Sequence, residues 1–497
     1  MREERGHPGA RDRQGAAMRE RATRRDRGAP AAPGRIPPGR GRPAPRPRAP
    51  ATLRVGMKVT VAVQSVNLEG DGVGAVGARR VAVPFALPGE EAVVEITRAG
   101  RRAEGTIVAL VRRSADSIPP RCRHFGACGG CQWQHAAYPA QLAYKTALVR
   151  EALRPVLDGT GAVVREAVGA DPWAYRQRVQ AAVGLRRDRV VAGYYARAGE
   201  LRVINVQECP IQPEVNVRLL HAVRDAVAVL GWPVYDRTTG AGLVRGVVGQ
   251  VGFHTGEVMV ILCATREVPD RMALVRALVG RVPGLVSVQL SVQPARTPEM
   301  LGSVRLLWGR PYIEDVIAGL RLRLYATAAV PPNPRAVPLY LEAIGRAVAG
   351  AGVVVDVACE EGLVPLALSS RASRAVGVAP DRDAMHRAWE NADLNGIRNC
   401  VFYTRSPAGV LRKLRERGEA VDAVVATARG EPTAPEVFAE AARAGARRLA
   451  CASHSLTLLA RDVAAARQCG FVPVEVQPVD LLPQTSRIHA VVALRRE

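Results

Sequence analysis

The run Cys122-Arg123-His124-Phe125-Gly126-Ala127-Cys128-Gly129-Gly130-Cys131 spaces three thiols five and then two residues apart. Two glycines between the last pair let the backbone turn tightly enough for several sulfurs to face one centre. A metal ion or a cluster is the natural occupant, and a fourth ligand has to arrive from farther along the chain. Cys209, in Gln207-Glu208-Cys209-Pro210, is the candidate, because a strand-like run from Leu201 to Val206 delivers it. By spacing alone, four thiolates at Cys122, Cys128, Cys131 and Cys209 suit zinc or an iron–sulfur cluster equally well. The competing readings are reduced, buried thiols or a disulfide pair. A disulfide framework is out of character for a chain of 497 residues in which no signal peptide is expected.

Charge narrows the partner. A formal net charge of +24 favours a polyanion, with nucleic acid ahead of a membrane surface. Lysine is nearly absent and arginine carries almost all of this charge. That pattern looks like a compositional bias of the genome, so no single arginine is read as a contact. No apolar run reaches the length of a membrane span, and a cytoplasmic location is expected.

Along the chain, residues 1–52 are rich in Arg, Pro, Gly and Ala without apolar periodicity. They are expected to form a disordered basic tail, unless translation starts near Met18. From Leu53 to about residue 115, valines alternate between glycine turns, which predicts a small OB-like β-barrel. Residues 116–325 read as an α+β domain carrying the cysteine loop, with helices at Tyr138 to Leu157, Val215 to Leu230 and Arg271 to Val279. From residue 326 to 497, helices alternate with buried strands such as Val353-Val354-Val355-Asp356, the rhythm of a Rossmann-like, doubly wound α/β sheet.

The cysteine run, continuing into Gln132 and followed by Gln141 and Lys145 on a helix, resembles the RNA uracil-5-methyltransferase family. The order of parts around Leu87-Pro88-Gly89-Glu90 looks like the TRAM domain that opens many of its members. Asn391-Ala392-Asp393-Leu394-Asn395-Gly396-Ile397 and Asp480-Leu481-Leu482-Pro483-Gln484-Thr485 match further scaffold motifs. The resemblance implies a 4Fe-4S cluster on the four cysteines, an S-adenosylmethionine-binding C-terminal domain, and structured RNA, rRNA or tRNA, as partner. A monomer is expected, and DNA is not expected to bind.

The chemical motifs depart from that pattern together. The family methylates C5 of uracil after adding a cysteine thiolate to C6, and a carboxylate then removes the C5 proton. Its cofactor loop, Asp-Leu-Tyr-Cys-Gly-x-Gly, is here Asp356-Val357-Ala358-Cys359-Glu360-Glu361-Gly362. Its ribose-binding Gly-Val-Glu is Gly377-Val378-Ala379. Asp356, Gly362, Asn333 and Arg429 remain as candidate cofactor residues. His454 stands at the nucleophile position and His489 at the base position, and the two are expected to converge in one pocket. Cys451 replaces the nucleophile only if the loop contains an insertion. These substitutions predict weak or absent cofactor binding and a silent RNA-binding protein, with an active but rearranged methyltransferase as the alternative.

Overall fold

Alternating valines build a closed barrel from β1 (Lys58–Val66), β2 (Gly72–Val76), β3 (Arg79–Val83), β4 (Glu91–Arg98) and β5 (Ala103–Arg112), ordered β1-β2-β3-β5-β4. The computed structural model describes residues 52–197, 201–329, 331–428 and 430–497. The expected tail lies outside them apart from its last residue, and so does Arg429. Inside the barrel Val61, Val63, Val81, Val83, Val94 and Ile96 form the core. Gly74 is required where β2 crosses β1, since a Cβ there would lie 2.3 Å from the Ala62 carbonyl oxygen.

Helix α1 (Tyr138–Leu157) occupies the predicted span. After the short β6 (Val163–Val164) and β7 (Val168–Gly169) come β8 (Arg178–Arg186), β9 (Arg189–Tyr195), β10 (Val203–Asn205), α2 (Glu214–Val229), β11 (Val244–Val251), β12 (Val258–Ala264), α3 (Arg271–Leu278), β13 (Leu285–Val292) and β14 (Ser303–Gly309). The strands form one sheet ordered β10-β9-β8-β11-β12-β13-β14. Every residue of β11 and β12 is buried. One face packs on α2 and α3 through Val247, Val260 and Leu262; the other carries Val248, Met259 and Ile261 into a second core. Burial on both faces explains the unbroken apolar run of β12.

That second core is shared with the hairpin β15 (Tyr312–Ile317) and β16 (Leu320–Tyr325) and with the C-terminal sheet. The remaining elements are α4 (Val337–Ala347), β17 (Val353–Asp356), α5 (Leu363–Leu368), β18 (Arg374–Ala379), α6 (Arg382–Leu394), β19 (Cys400–Thr404), α7 (Pro407–Glu416), β20 (Ala423–Ala428), α8 (Pro435–Arg443), β21 (Arg448–Ser453), α9 (Leu456–Gln468), β22 (Val472–Asp480) and β23 (His489–Arg495). Their order is β19-β18-β17-β20-β21-β23-β22, parallel as far as β21, after which β23 runs antiparallel to both neighbours. β6 and β7 extend the β22 edge from the chain that precedes the central sheet. The strand order reverses between β17 and β20, and the crevice beyond their carboxyl ends is where such a sheet binds its ligand. The Asn391 motif stitches α6 to the hairpin: the Asn391 and Asn395 side-chain oxygens accept from the backbone N–H groups of Arg323 and Arg321.

Candidate functional site

The cofactor crevice is nearly closed. Asp356 ends β17 and its Oδ1 accepts from the Ala358 N–H at 3.0 Å. Glu360 then adopts φ +46°, the left-handed region where the family's glycine would sit without a side-chain penalty. Glu361 reaches across: its carboxylate accepts from the Ala329 N–H at 3.3 Å and pairs with Arg387 at 3.5 Å. The cavity left among Pro331, Tyr340, Asp356, Glu360, Glu361 and Thr427 measures about 60 Å³, whereas pockets for small ligands run about 300–1,000 Å³. These side chains narrow the crevice in which the resemblance places S-adenosylmethionine.

The other cofactor candidates fare no better. Gly362 has φ +89° and caps α5, and a Cβ on it would press on Ala388 and Phe402 at 3.1–3.3 Å. Asn333 is fully buried and accepts from the Arg335 N–H, but it lines neither the cofactor cavity nor the larger one described below. Ala379 offers no acceptor at the end of β18. Asp381, which a shifted loop would need for the ribose, caps α6 instead by accepting from Asp383 N–H and Ala384 N–H.

A second, larger cavity of about 890 Å³ gathers the other predicted residues. Cys122, Cys128, Cys131 and Cys209 line it, as do His454 and His489, whose ring centroids are 5.6 Å apart. The two histidines thus converge as their motif positions predicted. Cys451 does not join them. It is fully buried on β21, paired with Ala426 and Val492 within the core, and burial raises its thiol far above the ordinary value. The gapped reading that made it a nucleophile fails because this strand is covered on both faces.

The four thiols belong to one loop system. Cys128 N–H donates to the His124 carbonyl, Gly130 N–H to the Cys128 sulfur, and Cys128 bridges to Ala196. Burial pushes Cys131 up to about 11 and Cys209 up to about 12; the like charges of Cys128 and Cys122 add to the rise at Cys131, and those of Cys131, Cys122 and Cys128 to the rise at Cys209. Among the described residues, no group of three or more His, Cys, Asp or Glu side chains closes into a metal cage. The donor chemistry nevertheless suits a soft metal or cluster, whose charge would reverse the burial effect and hold the thiols as thiolates.

Behind this cavity lies a buried latch. The Lys145 Nζ contacts Asp480 Oδ1 at 2.6 Å, both side chains being 0% exposed, and donates to the Leu482 carbonyl at 3.1 Å. Burial pulls the lysine down and Asp480 pulls it back up. Gln141 exchanges hydrogen bonds with Gln484, whose φ of +68° is held by Gln132 and Trp133 N–H groups donating to its carbonyl. The segment carrying Arg487 and His489 is therefore bonded directly to the cysteine loop. The other lining groups, among them Glu69, Arg176, Gln180, Tyr194, Tyr195, Arg197 and Arg487, carry no signal in the sequence, because they come from separate elements with no common spacing.

Comparison with known proteins agrees with this architecture. Residues 53–108 match the TRAM domain model. An uncharacterized RNA methyltransferase of Caldanaerobacter subterraneus subsp. tengcongensis is 32% identical over 89% of this chain and 99% of its own length. One from Halalkalibacterium halodurans is 30% identical over 88% of this chain and 96% of its own. Among solved structures, the Pyrococcus abyssi tRNA (uracil-54, C5)-methyltransferase in complex with S-adenosyl-L-homocysteine superposes with a TM-score of 0.71 at 20% identity, covering 88% of this chain and 99% of that one. At that identity the likeness speaks for the fold.

Proposed function

The chain belongs to the RNA uracil-5-methyltransferase family, and we propose that this member grips structured RNA, rRNA or tRNA, without transferring a methyl group. One observation carries the reading: His454 and His489 face the cavity at the positions where the family keeps its thiolate and its carboxylate. A neutral imidazole is a poor nucleophile for addition to C6, so the adduct that activates C5 does not form. The narrow cofactor cavity behind Glu360 supports the same reading. The excess positive charge and the TRAM barrel supply the attraction to phosphate.

In this reading Cys122, Cys128, Cys131 and Cys209 hold a 4Fe-4S cluster, which supplies a rigid, charged anchor for the loop that carries them. The domains are taken as residues 53–115, 116–325 and 326–497, acting as a monomer in the cytoplasm. No helix among the described residues is long and apolar enough to cross a membrane. The second reading, methyl transfer to uracil by a rearranged site, is favoured by the near-full-length match to proteins named as RNA methyltransferases. Incubation with uracil-containing RNA and radiolabelled S-adenosylmethionine separates the two. RNA binding with no label incorporated is expected, and label on uracil C5 would overturn the silent reading.

A further inference from the structure

Beside the cysteine cavity a smaller one of about 160 Å³ opens on the central sheet, lined by Gln180, Tyr194, Tyr195, Tyr235, Arg237, Arg245 and a floor of Ala182, Gly193, Pro298 and Met300. Among the described residues no carboxylate lines it. The cavity between barrel and α1 differs in this respect. It is larger, about 720 Å³, but sets Arg80, Arg98, Arg101 and Arg102 against Glu69, Asp71, Glu104 and Glu151, and Arg98–Glu104 and Arg80–Glu151 are paired. Four cations facing four anions leave little net pull on phosphate.

The smaller cavity combines planar groups with net positive charge. Arg237 lies over the Tyr195 ring at 5.2 Å from its centroid, and Arg245 over the Tyr235 ring at 4.9 Å. Arg245 is held in place by donating to the carbonyls of Gln293, Ala295 and Thr297, so the Tyr235 ring rests on a fixed plane. Tyr194 is fixed by accepting from the Gln212 amide. A flat, polar-edged ligand with a nearby negative charge matches this set. A base in a duplex does not, because both of its faces are already stacked.

We propose that this cavity is a stacking site for one unpaired base of RNA, a reading that rests on the RNA-binding function proposed above. The base lies among Tyr195, Tyr235 and Arg237, its polar edge meets Gln180, and Arg237 neutralises the adjoining phosphate. The site adjoins the cysteine cavity, with which it shares Gln180, Tyr194 and Tyr195. Gly129 of the cysteine loop also donates to the Tyr195 carbonyl at 3.1 Å. A single strand can therefore run from one cavity into the other.

Fluorescence anisotropy on the full-length protein tests the site, using an RNA hairpin with an unpaired loop and a blunt duplex of the same stem sequence. Arg237→Ala and Tyr235→Ala are each expected to weaken hairpin binding about tenfold, as loss of one stacked base does, and to leave duplex binding unchanged. Tyr235→Phe should bind like the wild type. Arg237→Ala removes no backbone support, so it keeps the test valid if Tyr235→Ala unfolds. Hairpin affinity unchanged in Arg237→Ala, or hairpin and duplex weakened equally, overturns the stacking site. Failure of the wild type to bind either RNA overturns the RNA-binding reading itself, whereas normal binding by both wild type and variants overturns this site alone.

Discussion

Replacing Glu360 with glycine should both relax the backbone and reopen the cofactor crevice. A non-glycine residue in the left-handed region costs about 1–2 kcal/mol, and Glu360 sits there at φ +46°. Glycine returns roughly 0.5–1 kcal/mol of this as extra chain entropy in the unfolded state, so the net gain is about 0.5–1 kcal/mol. For a chain of this size that is a rise in melting temperature of about 0.5–1 °C. The same change withdraws a carboxylate from a cavity of about 60 Å³ into which the cofactor's own carboxylate would have to fit. Relief of one like-charge contact near the surface is worth on the order of 1 kcal/mol, so S-adenosylmethionine affinity should rise roughly fivefold from a very weak base. Thermal unfolding and calorimetric titration of the cofactor read both effects on the same samples. A melting temperature that falls, or wild-type protein that already binds the cofactor at micromolar concentration, would refute the reasoning.

Lys145→Met should leave Asp480 buried without its cation and cost about 3–5 kcal/mol, seen as a lower melting temperature and faster hydrogen exchange over residues 480–489, while adding Asp480→Leu restores most of it. A single variant as stable as the wild type would show that the latch is not stabilising. Burial pushes His135, whose Nε2 lies 2.9 Å from the Phe85 carbonyl, down to about 4 from an ordinary value of 6.5. The unfolded chain therefore takes up the proton first. This contribution to stability is complete above about pH 6.5 and is lost as the pH falls towards 4. His135→Gln should flatten that part of the melting temperature against pH curve, and an unchanged slope would contradict the assignment. Protein purified without oxygen should be brown with about four irons per chain, and Cys128→Ser or Cys209→Ser should lose the colour; stoichiometric zinc without iron would overturn the cluster.

The scaffold was legible where one periodicity dominates. Val61, Val63, Val81 and Val83 alternate because one face of each strand fills the barrel, and α1 starts at Tyr138, where Pro139 suits a first turn. Other parts were not legible. β6 and β7 span only two residues each, so their pairing to β22 carries no pattern of its own. For the site, motif positions singled out His454, His489 and the four cysteines, which line one cavity. Cys451 stayed ambiguous, because an Ala-Cys-Ala run on a strand buried on both faces looks the same as one leading to a loop. The stacking residues Tyr195, Tyr235 and Arg237 are brought together by the sheet and by loops, and no local spacing announces them.

The most direct test of silent RNA binding is to incubate the protein with 5-fluorouracil-containing RNA and S-adenosylmethionine, then separate covalent from non-covalent complexes on a denaturing gel. With His454 in place of the thiolate and His489 in place of the base, the complex should form under native conditions and dissociate completely on denaturation. A denaturation-stable protein–RNA adduct would contradict the account and show that methyl-transfer chemistry survives in this chain.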